Sequence, residues 1–193
     1  MIAISSRRLW LLIIALIIVI CGMFMLQSKW FLRILYPWPY RTEITRVAGR
    51  FDVDPYLLVA LVREESRFNA DAESAAGARG LMQVMPETAS GAAEQIGMPN
   101  FDESQLYQPE VNLLIGSWYL AQLFVDFHGN QVVGLAAYNA GRGNVQAWLA
   151  TGQWMGTMED INRVPFPETK LYLRAVMRDY DIYKYLYPVQ SGA

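Results

Sequence analysis

The sequence predicts an all-α fold with an N-terminal transmembrane helix, and three observations lead to this fold class. Beyond residue 40, apolar residues recur at helical spacing between glycine and proline residues that interrupt the pattern. No stretch shows the apolar and polar alternation that is typical of a half-buried strand. Near the N-terminus, an uncharged apolar run of about 18 residues has the minimum length of a membrane-spanning helix.

The apolar run at residues 9–26 is interpreted as a retained membrane anchor. Two arginines precede it, and aromatic residues that favour a membrane interface follow it from Trp30 onwards. A cleaved signal peptide is the alternative, but its apolar core is normally shorter and ends in small residues. The bulky Ile20, which precedes Cys21, also occupies the position where a lipoprotein cleavage box needs a small residue. Basic residues on both sides of the run leave its orientation undecided by charge.

The domain organisation follows from these features and from the prolines after the apolar run. Pro37 and Pro39 prevent a helix from continuing into the rest of the chain. The expected segments are a membrane anchor at 1–28, a juxtamembrane connector at 29–40, a catalytic domain at 41–188 and a frayed tail at 189–193.

Cap residues and apolar spacing predict the helix positions. Asp54 followed by Pro55 is typical of an N-cap and a first helical residue. The helix that they begin runs to Ser66 and is apolar on all sides for six residues, so we expect it to be buried. The other helices are expected at residues 41–50, from Pro86, from Pro109 to about 128, and at 131–139, 144–149 and 168–185.

Charge and composition exclude several classes of function. The net charge of −2 does not favour a nucleic-acid partner. Cys21 is the single cysteine, so the chain forms no internal disulfide. With one histidine and no cysteine beyond the apolar run, we expect no metal site, and no motif indicates a cofactor.

Two glutamates at the end of the buried helix are the main catalytic candidates. A carboxyl group held against apolar walls keeps its proton near neutral pH and can act as a general acid. Helical periodicity does not choose between Glu64 and Glu65, since each follows an apolar stripe. Glu64 lies beside Arg63 and three residues before Arg67, so an exposed ion pair is expected for it.

Four motifs give the chain a family resemblance. They are Glu65-Ser66, Gly80-Leu81-Met82-Gln83, Ala137-Tyr138-Asn139-Ala140-Gly141 and Pro167-Glu168-Thr169-Lys170-Leu171-Tyr172. In this order and spacing, they resemble the lytic transglycosylases of the soluble-lytic-transglycosylase catalytic-domain type over residues 42–187. The resemblance implies a lysozyme-like, mainly helical fold. It also implies cleavage of the β-1,4 bond between N-acetylmuramic acid and N-acetylglucosamine in peptidoglycan, leaving 1,6-anhydro ends.

The resemblance also implies roles for individual residues. Glu65 would be the single catalytic acid and then the base. Substrate contacts are implied for Ser66, Gly80, Leu81, Met82, Gln83, Tyr138, Asn139, Glu168 and Tyr172. Simpler interpretations stand beside these roles: residues 80–83 also fit a turn that enters a helix with core methionines, and Asn139 and Gly141 also fit a helix C-terminus. Ser66 also fits local capping of its helix.

The leading hypothesis is therefore a membrane-anchored lytic transglycosylase of a bacterial envelope. Its glycan substrate lies outside the cytoplasm, which places the domain on the periplasmic side of the inner membrane. A hydrolytic muramidase on the same scaffold is the first alternative, and it gains weight if Glu168 faces Glu65 across the bond. A non-catalytic glycan-binding module is the second. Nothing in the sequence names a protein partner.

Overall fold

The computed structural model describes residues 6–188, which form nine α-helices and two short 3-10 turns without a strand among them. Two isolated bridges, Glu73 with Arg79 and Arg79 with Val84, shape a loop. The all-α prediction is therefore confirmed. The helices are α1 (Ser6–Gln27), α2 (Lys29–Leu35), α3 (Arg41–Phe51), α4 (Pro55–Ser66), α5 (Pro86–Gln95), α6 (Pro109–Asp126), α7 (Gln131–Ala140), α8 (Arg142–Ala150) and α9 (Pro167–Leu186).

The chain divides into two compact units. The first combines Met1–Trp38 with Leu186–Ala193, and the second is Pro39–Tyr185. Every residue of the candidate site lies in the second unit. The predicted frayed tail at 189–193 falls outside the described residues, as do the first five residues of the predicted anchor segment.

In the first unit, α1 covers the apolar run and α2 follows it. Among the residues that the structure describes, no helix was found to combine the length and the apolar character needed to cross a membrane. Helix α2 was not predicted within the connector; the Ser28 side chain caps it by accepting the Phe31 N–H at 3.2 Å, and it ends before Pro37. Arg33 Nη2 donates to the Leu186 carbonyl oxygen at 2.6 Å.

Helix α4 forms the centre of the second unit, as its all-round apolar sequence predicted. Its N-cap is Asp54, whose Oδ1 accepts the Tyr56 N–H at 2.8 Å, with proline at the first helical position. The seven residues from 56 to 62 are buried. A fully buried leucine or valine contributes roughly 1.5–3 kcal/mol, so this helix is anchored firmly and its last turn is held in place.

The remaining helices build the walls around that last turn. Helix α6 packs against α3, α5 and α7. On α6, the buried Asn112 accepts the Met82 N–H at 2.7 Å and donates to the Arg79 and Leu106 carbonyl oxygens, each at 2.8 Å. The bonds to Met82 and Arg79 hold the turn that contains residues 79–82, and the bond to Leu106 holds the segment before α6. Helix α9 carries its own buried stripe past α4.

Candidate active site

A cleft of about 830 Å³ lies at the C-terminal end of α4. It brings together side chains from α4, the 74–85 loop, α7 and α9, which are far apart in the sequence. Seven candidates from the sequence line it: Glu64, Glu65, Gln83, Tyr138, Asn139, Glu168 and Tyr172. A second pocket of about 240 Å³ shares Gln83, Met85, Tyr138 and Asn139 with it, so the groove continues past α7.

Glu65 has the properties of a general acid. Burial of its carboxyl group raises the pKa to about 7, and the nearby charges of Glu64 and Glu168 act in the same direction. The Tyr172 hydroxyl opposes them, because it lowers the pKa by stabilising the carboxylate. A carboxyl group with a pKa near the working pH can both donate and accept a proton.

Tyr172 lies on α9 and faces Glu65. Its hydroxyl is buried, and burial together with the Glu65 charge raises its own pKa well above the usual tyrosine range. It acts on the Glu65 carboxyl, but it does not reach full hydrogen-bond geometry with any acceptor in the described part of the chain. The hydroxyl therefore remains available as a donor beside the acid.

Glu168 lies four residues before Tyr172 and shares its helical face, as the spacing predicted. Glu168 is exposed and lines the same cleft as Glu65. With Glu64, three carboxyl groups therefore border the cleft; Glu65 is half-buried with a raised pKa, and Glu168 is in contact with solvent.

Tyr138 and Asn139 come from the last turn of α7. The Tyr138 hydroxyl donates to the Met82 carbonyl oxygen at 2.8 Å, which ties α7 to the 79–82 turn. Asn139 Oδ1 accepts from the buried Thr169 hydroxyl at 2.7 Å, which leaves its amide nitrogen directed away from this bond. Gly141 is the C-cap of α7 with φ +88°, as the alternative interpretation of this motif expected.

Residues 80–83 contribute less to the cleft than the resemblance implied. Leu81 and Met82 are fully buried and do not line the cleft, so their contact with a substrate stays a prediction that this lining does not support. Met82 packs against Gly116 and Ser117 of α6, as a core methionine does. Gly80 does not line the cleft either.

Gln83 is the exception in this segment. It lines the cleft with φ +47°, and its side-chain nitrogen donates to the carbonyl oxygens of Gly80 at 2.9 Å and Ala72 at 3.1 Å. Its donors thus hold the loop, which leaves the amide oxygen as the group that a ligand can meet.

The structure defines the contacts of Ser66 and Glu64 at the end of α4. Ser66 does not line the cleft; its hydroxyl donates to the Val62 carbonyl oxygen at 3.2 Å, a local bond within the helix. Glu64 does form an ion pair, but its partner is Arg178 of α9 at 3.4 Å rather than an arginine of its own helix. Burial and the neighbouring Asp179 raise the pKa of Glu64, which also borders the cleft.

Sequence reasoning missed several lining residues. They are Ser74, Ala76, Ala78, Met85, Leu171 and Ala175. Two of them carried a signal: Leu171 lies between Glu168 and Tyr172 and is 65% exposed, and Met85 directly precedes the α5 proline and is 41% exposed. Large apolar side chains left open to solvent beside polar site residues indicate a ligand surface.

The arrangement suits proton transfer. Among the residues that the structure describes, no group of three or more histidine, cysteine, aspartate or glutamate side chains is placed to hold a metal ion. The cleft instead joins one protonatable carboxyl group to a hydroxyl donor and amide groups, with an apolar edge. Such a site can protonate a leaving oxygen of a polar, partly apolar ligand such as a sugar chain.

Comparison with known proteins identifies the family. The family model described as "Transglycosylase SLT domain" matches residues 43–161, which is more than half of the chain. The chain belongs to the SLT transglycosylase domain family. The resemblance predicted from the four motifs is thereby confirmed, and the matched range contains Glu65, Gln83 and Tyr138 but not α9.

Relatives of this SLT domain include both soluble and membrane-bound proteins. The chain is 35% identical over 150 residues to the soluble lytic murein transglycosylase of Salmonella typhimurium, covering 77% of this chain and 23% of that protein. It is 35% identical over 117 residues to the membrane-bound lytic murein transglycosylase C of Edwardsiella ictaluri, covering 55% of this chain and 32% of that protein. The chain thus spans between about a quarter and a third of these relatives.

A solved structure supports the same fold for the SLT domain. The lytic transglycosylase Slt of Pseudomonas aeruginosa, crystallised as an inactive glutamate-to-glutamine mutant, is similar with a TM-score of 0.74 and 36% identity. The match covers 81% of this chain and 26% of that one.

Proposed function

We propose that the chain is a lytic transglycosylase that cleaves the glycan strands of peptidoglycan, with Glu65 as its acid and base. The observation that carries the proposal is the Glu65 carboxyl, whose pKa is raised to about 7 at the side of a large open cleft. The names of the relatives, which are murein transglycosylases, support the substrate class.

The reaction needs one carboxyl group if the substrate supplies its own nucleophile. Glu65 first gives its proton to the glycosidic oxygen, and the bond from that oxygen to the anomeric carbon of N-acetylmuramic acid breaks. The N-acetyl group stabilises the positive charge at that carbon, as in substrate-assisted glycosidases. The 6-hydroxyl of the same sugar then attacks the carbon, and Glu65 takes the hydroxyl proton, so that a 1,6-anhydro end forms and the acid is regenerated.

The neighbouring groups have supporting roles in this proposal. The buried Tyr172 hydroxyl stabilises the carboxylate that forms when Glu65 loses its proton. Asn139, oriented by Thr169, offers its amide nitrogen to an acetamido or hydroxyl oxygen of the sugar. The inactive glutamate-to-glutamine mutant among the relatives agrees with dependence on one glutamate.

A hydrolytic muramidase is the second candidate, and the position of Glu168 favours it. This exposed carboxylate lines the cleft that holds Glu65. A second carboxylate on the far side of the bond activates a water molecule in inverting glycosidases. In that reaction the product has a reducing end in place of the anhydro ring.

We also propose that residues 9–26 anchor the enzyme in the inner membrane with the catalytic domain on the periplasmic side. The support for this anchor comes from the sequence of α1, whose apolar run of about 18 residues has the minimum length of a membrane span. The apolar run within it carries no charge. The existence of a membrane-bound relative is consistent with this location.

Digestion of purified sacculi followed by mass spectrometry tests the function. We expect products with anhydro ends, which are one water lighter than reducing ends. Glu65→Gln should lose cleavage by at least about 10³-fold while remaining folded, because the amide cannot donate the acidic proton. Glu94→Gln, at an exposed glutamate of α5, is the matched control and should cleave normally. If the products carry only reducing ends, and Glu168→Gln abolishes their formation, the enzyme is a muramidase instead.

A further inference from the structure

Four charged residues join the last turn of α4 to α9. We call Arg63, Glu64, Arg178 and Asp179 the α4–α9 clamp. Asp179 is fully buried, and its Oδ2 accepts from Arg63 Nε at 2.9 Å while its Oδ1 accepts from Arg178 Nε at 2.8 Å. Arg178 Nη2 also lies 3.4 Å from Glu64 Oε1. Because a buried carboxylate is costly without partners, Asp179 holds both arginines close to it.

The clamp and the candidate acid share the same two helices. Arg63 precedes Glu65 by two residues on α4. Tyr172 and Asp179 are seven residues apart on α9, so they lie two turns apart on one face, and Val176 between them is also buried. The face of α9 that binds Arg63 therefore also presents Tyr172 to Glu65.

We propose that Arg63 and Asp179 are positioning residues that fix the register of α9 on α4 and so hold the Tyr172 hydroxyl against the Glu65 carboxyl. This inference rests on the proposed role of Glu65 as the acid. The groups that act on Glu65 are Glu64 of its own helix, Glu168 and Tyr172 of α9, and the nearby Tyr138 of α7. Of these, the two from α9 depend on the clamp for their distance from Glu65.

Breaking the clamp should change the pKa of Glu65, which a loss of stability by itself would not do. A small displacement of α9 that leaves Glu65 buried weakens the Tyr172 hydrogen bond, which lowers the Glu65 pKa, and the smaller effect of the Glu168 charge, which raises it. The Glu65 pKa should therefore rise. The variant Arg63→Gln/Asp179→Asn removes one positive and one negative charge. Its net charge equals that of the parent chain. A change in the Glu65 pKa therefore reports a change in the position of α9 rather than a change in total charge.

The test is a double-mutant cycle between the clamp and Tyr172→Phe, read on soluble glycan strands and by carbon NMR titration of the Glu65 carboxyl. We expect the clamp variant to lower kcat about tenfold with KM within about twofold, and to raise the Glu65 pKa by about half a unit. Tyr172→Phe should raise the pKa as well. Combining the two should deepen the kcat loss by less than about twofold, since both remove the same contact.

A second ion pair provides the matched control. Arg142 Nη2 and Asp126 Oδ2 are 2.7 Å apart, and neither residue lines the cleft. Arg142→Gln/Asp126→Asn should leave both kcat and the Glu65 pKa unchanged. If the clamp double variant does not fold, Arg63→Gln alone enters the cycle, because Asp179 then keeps Arg178 as its partner.

The inference would be overturned if the clamp variant has a lowered melting temperature but an unchanged Glu65 pKa. It would also be overturned if the kcat losses of the clamp variant and of Tyr172→Phe multiply when the two are combined. These results differ from a failure of the proposed function. If the parent chain does not cleave glycan strands at all, the catalytic role of Glu65 fails, while the NMR titration still reports whether the clamp positions Tyr172.

Discussion

The burial that gives Glu65 a pKa suited to catalysis also lowers the stability of the fold when the carboxyl group is charged. Its carboxyl group is half-buried at the end of a helix whose apolar residues are fully buried. The burial that raises its pKa from 4.5 to about 7 disfavours the charged form of the folded protein. Stability is therefore lost as the pH rises from the unfolded value of 4.5 through the folded value of about 7.

Replacing Glu65 should reveal this cost directly. Glu65→Gln should be nearly as stable as the parent at pH 4, where both states carry the proton. At pH 8 it should be more stable by up to about 3 kcal/mol, since one pKa unit corresponds to about 1.4 kcal/mol. Chemical unfolding at the two pH values measures the difference, with Glu94→Gln as the exposed control. A variant that is destabilised equally at both values would contradict the buried acid.

The positions of the Tyr172 and Asn139 side chains near the acid depend on contacts with residues that are distant in the sequence. Asn139 on α7 takes its orientation from Thr169 on α9, thirty residues away. The Tyr172 hydroxyl on α9 is placed beside the Glu65 carboxyl on α4. Asn139 keeps its amide N–H groups for a ligand, whereas the Tyr172 hydroxyl acts on the acid.

At the level of elements, the 79–82 turn is held by α6 rather than by its own sequence alone. Asn112 makes two hydrogen bonds to it, and Tyr138 of α7 makes a third. Gly80 has φ +75°, and a Cβ added there would overlap the Leu106 carbonyl oxygen and the Asn112 side chain. This glycine is required for the close packing of the turn against Leu106 and Asn112.

Gly80→Ala should therefore destabilise the domain more than a glycine replacement that only strains the backbone. Gly77 is the matched control, because it has φ +87° and open space around its missing Cβ. We expect a loss of about 1 kcal/mol for Gly77→Ala and at least about 2 kcal/mol more for Gly80→Ala. Chemical unfolding measures both changes, and equal losses would mean that the turn relaxes away from Asn112.

At the level of the whole molecule, the proposed anchor makes a separate prediction. The full chain should sediment with membranes and resist an alkaline carbonate wash. The variant Leu16→Arg/Ile17→Arg should be released, because each arginine at the centre of a membrane helix costs about 3 kcal/mol. Ile17→Leu is the conservative control and should remain bound. If the parent chain is itself released by the wash, the anchor proposal fails.

The fold was predictable to the extent that its signals are local. Asp54 with Pro55 marked the start of α4, and the prolines at 86 and 109 marked α5 and α6, because caps and missing N–H groups act within one turn. Helix α2 was missed since its seven residues are too few for periodicity to stand out. The family and Glu65 as its candidate acid followed from motif order, whereas spacing alone left Glu64 and Glu65 equivalent.

Short-range patterns in the chain were sufficient for the helix positions, the buried character of α4 and the family. Packing between helices was needed to place Met82 in the core, to pair Glu64 with Arg178 and to bring Asp179 against Arg63. The physical reason is that caps and periodicity depend on neighbours within a few residues. The environment of a carboxyl group depends on which distant helix faces it, and no local pattern encodes that choice.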